Sequence, residues 1–406
     1  MNLHRILQYS VSGGWGAESP SDEGDVLVRI VRGADFPNAQ LGDLTSCPVR
    51  FESGTRAAKR TLQAGDIVLE VSGGTADRPT GRTVYLSKEI VESSAEPVIA
   101  ASFCRLLRIN PTKANSRFVY YAFQDFHARG LAWEFQNRST GIANFQFPRF
   151  ANEYVLPDVP LPEQQAIAEL LGALDDKIAV NSRIVGMTQE LLRSIHQQTV
   201  GSVVGEVLYT DIADVGGGAT PSTKNDEFWG GSIPWVAPSD VTALGAPYLE
   251  DTPRHLTESG LAACSSPLYP AGSIFMTSRA TIGAFAIPQV PTAVNQGFIV
   301  VQPHDSSLKW WLFHEMQRRV PEYMNRANGA TFLELPRSVF RTMTVAIPPT
   351  EILQSFQEQA DVLHARARSA VRESASLGEL RDVLLPALMD GRLRVRDAIK
   401  QVEGSL

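Results

Sequence analysis

Positive charge is scarce in this 406-residue sequence: 37 Lys and Arg stand against 44 Asp and Glu, a formal net charge of −7. Charge alone therefore points away from a polyanionic partner. Lysine is scarcer still, with 7 residues against 30 Arg, so most cations here are planar guanidinium forks rather than compact ammonium charges. Cysteine is nearly absent. Cys47, Cys104 and Cys264 are odd in number and widely spaced, which excludes a disulfide framework or a Cys-x-x-Cys zinc cluster and suits a reducing compartment. No apolar run approaches the roughly 18 residues of a membrane-spanning helix. The N-terminal MNLHRILQYSVSGG lacks the apolar stretch of a signal peptide. The expected location is cytoplasmic. Hydrophobic residues make up 43 %, ample for packed cores, and the length predicts two to four compact units.

Catalytic signatures are missing too. The sequence contains no Gly-Lys, hence no phosphate-binding loop ending in Gly-Lys-Ser/Thr. It has no Gly-x-Ser-x-Gly nucleophile turn. His314-Glu315 opens like a zinc-protease helix, but Arg318 stands where the second His is required. The run that an amino-methyltransferase needs, Asn/Asp/Ser-Pro-Pro-aromatic, fails at Asn110-Pro111-Thr112 and at Ile347-Pro348-Pro349. Pro157-Asp158 with Asp175-Asp176-Lys177 nominally meets a Mg²⁺-dependent nuclease pattern. Its last three residues fall on a helix off the apolar seam, where a solvated face is expected. The seven histidines form no spaced cluster. The expectation is a non-catalytic chain without metal.

What the sequence does contain is a long repeat. Asn137-Arg138-Ser139-Thr140-Gly141 matches Asn325-Arg326-Ala327-Asn328-Gly329 at an offset of 188. The same offset carries Pro148-Arg149 onto Pro336-Arg337, Pro160 onto Pro348, Glu163 onto Glu351 and Leu192-Arg193 onto Leu380-Arg381. Upstream, Ala64-Gly65-Asp66-Ile67 resembles Ala271-Gly272-Ser273-Ile274 at an offset of 207, each opening a strand-like apolar run. A copy this long is a duplicated domain rather than a solenoid unit. The chain therefore reads as globular–helix–globular–helix: residues 1–158, 159–200, 201–346 and 347–406. Gly-, Pro-, Thr- and Val-rich runs with turn signals predict an α+β fold with a twisted, mostly antiparallel sheet in each globular part, plus helices such as 116–128 and 308–319.

The helical segments carry heptads. Ile167, Leu171, Leu174, Ile178, Asn181, Val185, Thr188, Leu192 and Ile195 alternate spacings of 4 and 3. Leu353, Phe356, Ala360, Leu363, Ala367, Ala370, Ser374, Leu377, Arg381 and Leu384 do the same, with small residues in the middle. Large residues facing small ones permit close approach. Two such helices in one chain predict an intramolecular antiparallel coiled coil, the second helix ending at Pro386 and Gly391. About 35 residues at about 1.5 Å each make a rod of roughly 50 Å.

The second globular part reads Gly217-Gly218-Ala219-Thr220-Pro221-Ser222-Thr223-Lys224, Phe228-Trp229-Gly230-Gly231, Ile233-Pro234-Trp235-Val236, Thr277-Ser278-Arg279-Ala280-Thr281-Ile282-Gly283 and Asn295-Gln296-Gly297-Phe298. This succession resembles a target recognition domain of the specificity (S) subunit of type I restriction–modification enzymes. Pro160-Leu161-Pro162-Glu163-Gln164-Gln165-Ala166-Ile167-Ala168, running into Leu174-Asp175-Asp176-Lys177-Ile178, is similar to that family's central conserved helix. Leu380-Arg381-Asp382-Val383-Leu384-Leu385-Pro386 with Gly391 is similar to its distal one. The first globular part matches a variant pattern, Ser12-Gly13-Gly14-Trp15-Gly16 and Val31-Arg32-Gly33-Ala34-Asp35, with Val71-Ser72-Gly73-Gly74 where Ser-Arg-Ala-Thr is expected.

The resemblance implies two target recognition domains, each reading one half of a split, asymmetric double-stranded DNA sequence. It implies that the helical pair sets the spacer and docks two methyltransferase subunits, through which motor–nuclease subunits join. S-adenosylmethionine, ATP and Mg²⁺ are then expected only on those partners. The alternatives are a target adaptor of another phage-defence system and a divergent nuclease. Base readout needs donors and acceptors on loops backed by a rigid sheet. The candidate DNA-binding residues are Arg32, Asp35, Ser72, Arg78 and Arg82 in the first domain, and Lys224, Ser278, Arg279, Thr281, Asn295 and Gln296 in the second. The repeated Asn137, Arg138, Asn325 and Arg326, with Leu174, Leu192 and Leu380, are expected to be structural or partner-docking, since shared residues carry no domain-specific readout.

Overall fold

The computed structural model describes residues 1–405 apart from 23, 140–141, 202, 204 and 330–332; the side chains of 138, 139, 142 and 403–405 also fall outside the description. The chain divides into two compact units, Met1–Ser182 with Arg372–Leu406, and Arg183–Val371. The division cuts both long helices, so neither forms a layer of its own. Each unit is one globular copy completed by half of each helix.

In the first unit a four-stranded antiparallel sheet runs in the order Leu7–Ser12, Cys104–Ile109, Ile67–Glu70, Thr83–Tyr85. Residues along the inner strands alternate between two cores. Ile67, Leu69, Leu107 and Ile109 pack with the helix Ser116–Ala128, while Val68, Leu106, Cys104 and Val84 face a second sheet. That sheet orders Val49–Ser53, Asp25–Val31, Val98–Ala100. Burial on both faces is why Ile67, Val68 and Leu69 are successive apolar residues rather than an alternating pattern. A third sheet joins Ser72–Gly73 to the hairpin Gln136–Ser139 and Ile142–Phe145.

The second unit repeats this plan. Ala213–Gly216, Phe298–Pro303, Ile274–Thr277, Phe285–Pro288 and Tyr248–Leu249 form its main sheet. Ile274, Met276, Ile299 and Val301 pack with the helix Lys309–Arg318, and Phe275, Phe298 and Val300 line the opposite core. Arg254–Leu256, Trp229–Val236 and Ala293–Val294 make the smaller sheet. The sheets are mostly antiparallel, as the turn-rich sequence implies; the parallel pairs are 29–31 with 98–100, 235–236 with 293–294, and 248–249 with 287–288. The expected helix over 308–319 is shorter, because Pro321 starts a separate helix, Val320–Arg326.

The same glycine constraint appears in both copies. A Cβ on Gly13 would lie 2.1 Å from the Ala101 carbonyl oxygen, and one on Gly218 would lie 1.8 Å from that of Val294. Only glycine lets the loop after the first strand pass this close to the neighbouring backbone. The Gly-Gly pairs at 13–14 and 217–218 are therefore structural.

The central helix spans Leu161–Val200 and the distal helix Thr350–Met389. In the first unit Asn181 Nδ2 donates to Glu373 Oε2 at 2.9 Å, Lys177 pairs with Glu373 at 3.1 Å, and Arg381 donates to Asp175 at 2.7 Å. The first helix ascends as the second descends, so they are antiparallel. Leu171, Leu174, Leu377 and Leu384 are buried in the domain core. In the second unit Val185 and Leu192 share a core with Leu353, Phe356, Ala360, Ala367 and Ala370, large residues against small. Pro386 does not end the distal helix. It sits inside the last turn, and the helix ends at Met389 before Gly391, whose φ is +72°. So near the end, the missing N–H removes a single helical hydrogen bond.

Three histidines are buried where the second domain meets its helix halves. His364 Nδ1 is 2.8 Å from the Tyr248 hydroxyl, and its Nε2 is 3.0 Å from His314 Nε2. His196 lies beside Trp311, its Nε2 without a hydrogen-bond partner. Burial lowers the pKa of His196 to about 4, that of His314 to about 3 and that of His364 to about 2, with neighbouring charges adding to the effect.

Two stability predictions follow from this packing. Gly13→Ala is expected to cost about 1–3 kcal/mol in denaturant unfolding, whereas Gly378→Ala, on a helix with nothing within 4 Å, is expected to gain about 0.5–1 kcal/mol. The folded pKa values of the three histidines lie below the unfolded value, so their contribution is complete above about pH 6.5 and is lost as pH falls. The thermal midpoint should drop between pH 7 and pH 4, and His196→Leu should flatten that drop; an equally steep loss in the variant would contradict the assignment.

Candidate nucleic-acid interface

Three backbone hydrogen bonds recur in the two units and frame the same loop edge. In the first, Gly14 N–H donates to Ala100 O, Val71 N–H to Phe103 O and Phe145 N–H to Val71 O, each at 2.9 Å. In the second, Ala219 N–H donates to Val294 O at 3.1 Å, Ser278 N–H to Gly297 O at 2.8 Å and Leu335 N–H to Ser278 O at 2.8 Å. These bonds pair position with position. Trp15 corresponds to Thr220, Ser72 to Arg279, Ser102 to Gln296 and Phe103 to Gly297. The backbone is common and the side chains are not.

In the second unit this edge is polar and exposed. Arg279 directs Nε and Nη2 to Glu334 Oε2 at 3.0 and 2.7 Å, and the two side chains keep 49 % and 38 % of their exposure. The Thr220 hydroxyl donates to Gln296 Oε1 at 2.7 Å. Asn295 Oδ1 takes the Gly297 N–H at 2.7 Å and so shapes that loop. Thr281 is exposed, while Ser278 is buried and acts through its backbone. Between them Ala280 has φ +62°, the one non-glycine in the left-handed region among the described residues. Its N–H donates to Leu333 O at 3.1 Å, which holds the strained loop against the neighbouring segment. Lys224 lies in an exposed turn with no ion-pair partner among the described residues.

The first unit arranges its predicted readers differently. Ser72 is at the edge, its hydroxyl donating to Asn144 Oδ1 at 2.7 Å. The other four lie around two buried carboxylates, Asp35 and Glu70. Arg32 forms a two-pronged bond to Asp35 at 2.8 Å per prong and also donates to Ser46 O at 2.9 Å. Asp35 is buried; burial opposes its charge, but the bonds from Arg32 and Ser46 hold its carboxyl below the ordinary range. Arg82 donates to Glu70 at 2.6 Å and to Gly33 O at 2.7 Å, and Arg78 approaches Glu70 at 3.9 Å. Of these candidates, Arg32, Asp35 and Arg82 are engaged in ion pairs on two buried carboxylates, Asp35 and Glu70, while Arg78 stays half-exposed at their margin.

Of the Asn-Arg residues repeated in the two copies, Asn137 and Arg326 make side-chain contacts within the chain. Asn137 Oδ1 accepts from Gln146 Nε2 at 2.5 Å, and Arg326 pairs with Glu322 at 2.9 Å. Asn325 is exposed, and the Arg138 side chain lies outside the described residues. Leu174 and Leu192 are buried in the two domain cores, and Leu380 packs against the first. Trp235 is buried, with Arg254 over the Trp229 ring beside it at 3.7 Å, so this pair packs a turn. Three residues of the nuclease-like pattern are engaged in helix contacts, Asp175 with Tyr121 and Arg381, Asp176 with Arg117, and Lys177 with Glu373; Asp175, at 11 % exposure, is not on the solvated face expected of it. No group of three or more metal-ligating residues is present among the described residues, and no helix among them is long and apolar enough to cross a membrane. Glu334 and Asn144 escape a sequence reading. Their hairpins are repeated, but pairing register decides which side chain meets Ser72 or Arg279: Ile142 opposes Ser139 in one copy, and Glu334 opposes Asn328 in the other.

The family model described as "Type I restriction modification DNA specificity domain" matches residues 54–185 and again 205–368. The type I restriction enzyme MjaIX specificity subunit of Methanocaldococcus jannaschii is 38 % identical over 143 residues, which is 35 % of this chain and 33 % of that protein. The EcoR124I/EcoR124II specificity subunit of Escherichia coli is 28 % identical over 218 residues, 50 % of this chain and 53 % of that one. The alignments thus span between a third and about half of these curated relatives. The crystal structure of a type I restriction–modification S subunit from M. genitalium matches with a TM-score of 0.59 at 14 % identity, covering 96 % of this chain and 95 % of that one, a likeness of fold. With two matches of one family model falling on its two structural copies, the chain belongs to the type I restriction–modification DNA specificity domain family.

Proposed function

We propose that this chain is the non-catalytic DNA-recognition subunit of a type I restriction–modification complex acting in the cytoplasm. Each globular copy reads one half of a bipartite, asymmetric double-stranded target. The paired helices set the spacer and dock two methyltransferase subunits, through which motor–nuclease subunits join. S-adenosylmethionine, ATP and Mg²⁺ act on those partners. The observation that carries the proposal is the duplicated loop edge, with one backbone frame and two unlike sets of side chains. Two unlike half-sites call for that arrangement, because a shared frame positions and the variable side chains specify.

In the second domain the chemistry is direct. The Arg279 guanidinium suits the N7 and O6 acceptors of guanine, and the Glu334 carboxylate accepts from the cytosine amino group. Both are exposed, so water replaces one partner when DNA takes the other. The first domain, 17 basic residues against 15 acidic over 1–150, and the second, 9 against 13 over 201–345, supply little net positive charge. Phosphate neutralisation, which provides most non-specific affinity, then falls to the methyltransferase partners closing around the duplex.

A methylome of cells carrying this chain and its methyltransferase reports both half-sites and the spacer. Arg279→Ala should still assemble with the methyltransferase but lose target-specific binding by at least about tenfold; wild-type affinity and motif in the variant would refute its role. Deleting four residues within 170–190 shortens the central helix by about 6 Å and should change the methylated spacer or abolish methylation. An unchanged spacer would refute the ruler.

A further inference from the structure

The two recognition edges differ in whether their arginines can be released. Glu334, the partner of Arg279, is 38 % exposed and is rehydrated if Arg279 leaves. Glu70 and Asp35, the partners of Arg82 and Arg32, are 4 % and 3 % exposed. Withdrawing either arginine would strand a buried charge. Arg32 and Arg82 are therefore held in this cluster, whereas Arg78, 36 % exposed and 3.9 Å from Glu70, is not needed to satisfy it.

Other residues occupy its edge. Phe103 stands where the second domain has Gly297, and it is the most exposed aromatic among the described residues, at 63 %. Its backbone is pinned, for its carbonyl accepts the N–H groups of Val71 and Ser72 at 2.9 and 3.2 Å. Trp15, at the position of Thr220, is 45 % exposed, with the Arg50 guanidinium 5.9 Å from its ring centroid. Asn144 is tied to the Phe103 backbone through Ser72, whose hydroxyl donates to Asn144 Oδ1 at 2.7 Å and whose N–H donates to the Phe103 carbonyl at 3.2 Å. An exposed apolar side chain on a pinned backbone, linked through Ser72 to an exposed amide, matches one base pair in the major groove: the thymine C5-methyl group takes apolar contact, and adenine N6 and N7 take an asparagine.

Resting on the recognition function proposed above, we infer that the first domain reads an A·T pair, with Phe103 against the thymine methyl group and Asn144 on the adenine. Its half-site is thus recognised largely by apolar contact, whereas the second is recognised by charged hydrogen bonding.

The test uses the assembled complex with its methyltransferase and the methylome-defined duplex. The half-site altered by Arg279→Ala belongs to the second domain, and the remaining one to the first. Replacing each thymine of the remaining half-site by deoxyuridine removes one methyl group. At one position this should weaken binding of the wild-type complex by about fourfold or more and leave a Phe103→Ala complex unaffected. Phe103→Ala should relax the motif in that half-site alone, and Phe103→Leu should restore it in part. Insensitivity of the wild-type complex to every deoxyuridine, or an intact motif in Phe103→Ala, overturns the inference while the bipartite target stands. Absence of any bipartite motif in wild-type cells overturns the recognition function and this inference with it.

Discussion

The Asp175 carboxylate joins three helices of the first unit at once. Tyr121 of the domain helix donates to it at 2.6 Å, and Arg381 of the distal helix donates at 2.7 Å. Asp175 itself belongs to the central helix and is 11 % exposed. A carboxylate so removed from water must keep its partners, since losing one leaves an uncompensated buried charge. Burial works against the Arg381 charge, yet Asp175 lifts its pKa above the ordinary value. Arg117–Asp176, one residue on, repeats the tie between domain and helix. Around these polar bonds Leu171, Leu174, Leu377 and Leu384 share the core of the sheet. Domain and helix halves of the first unit are thus one packed body, and the direction of its loop edge is fixed relative to them.

The second unit builds its junction mainly from aromatic and imidazole groups. Tyr248, His364 and His314 form a chain of hydrogen bonds between domain and distal helix, with Trp310 stacked on His364 at 3.5 Å. Lysine 309 and Trp310 both reach Asp361. The topology survives this replacement because it rests on backbone pairing and on two-sided burial of the central strand, which many apolar side chains satisfy. The two junctions differ in side-chain chemistry, not in architecture.

Divergence at the loop edges carries the functional meaning. The same three backbone bonds hold both edges, so the scaffold is indifferent to what projects from it. One copy uses its arginines to neutralise buried carboxylates beneath the edge and exposes aromatics above. The other exposes an ion pair. Arg82 and Arg279 look alike in a sequence; the difference lies in the burial of Glu70 and Glu334, and burial is a property of the folded chain.

The primary sequence by itself determined the duplication, the two heptad helices, the strands at 67–70 and 274–277, the helix at 116–128 and the place of Arg279 on a loop. These signals are local or periodic, and periodicity survives without knowledge of the fold. Tertiary structure decided the rest: that Pro386 is tolerated inside the distal helix, that Arg32 and Arg82 are held by buried acids, and that Asn144 and Glu334 join the edge. Each of these depends on residues far apart in the chain brought together by strand register and core packing, and a one-residue change of register turns a side chain to the other face.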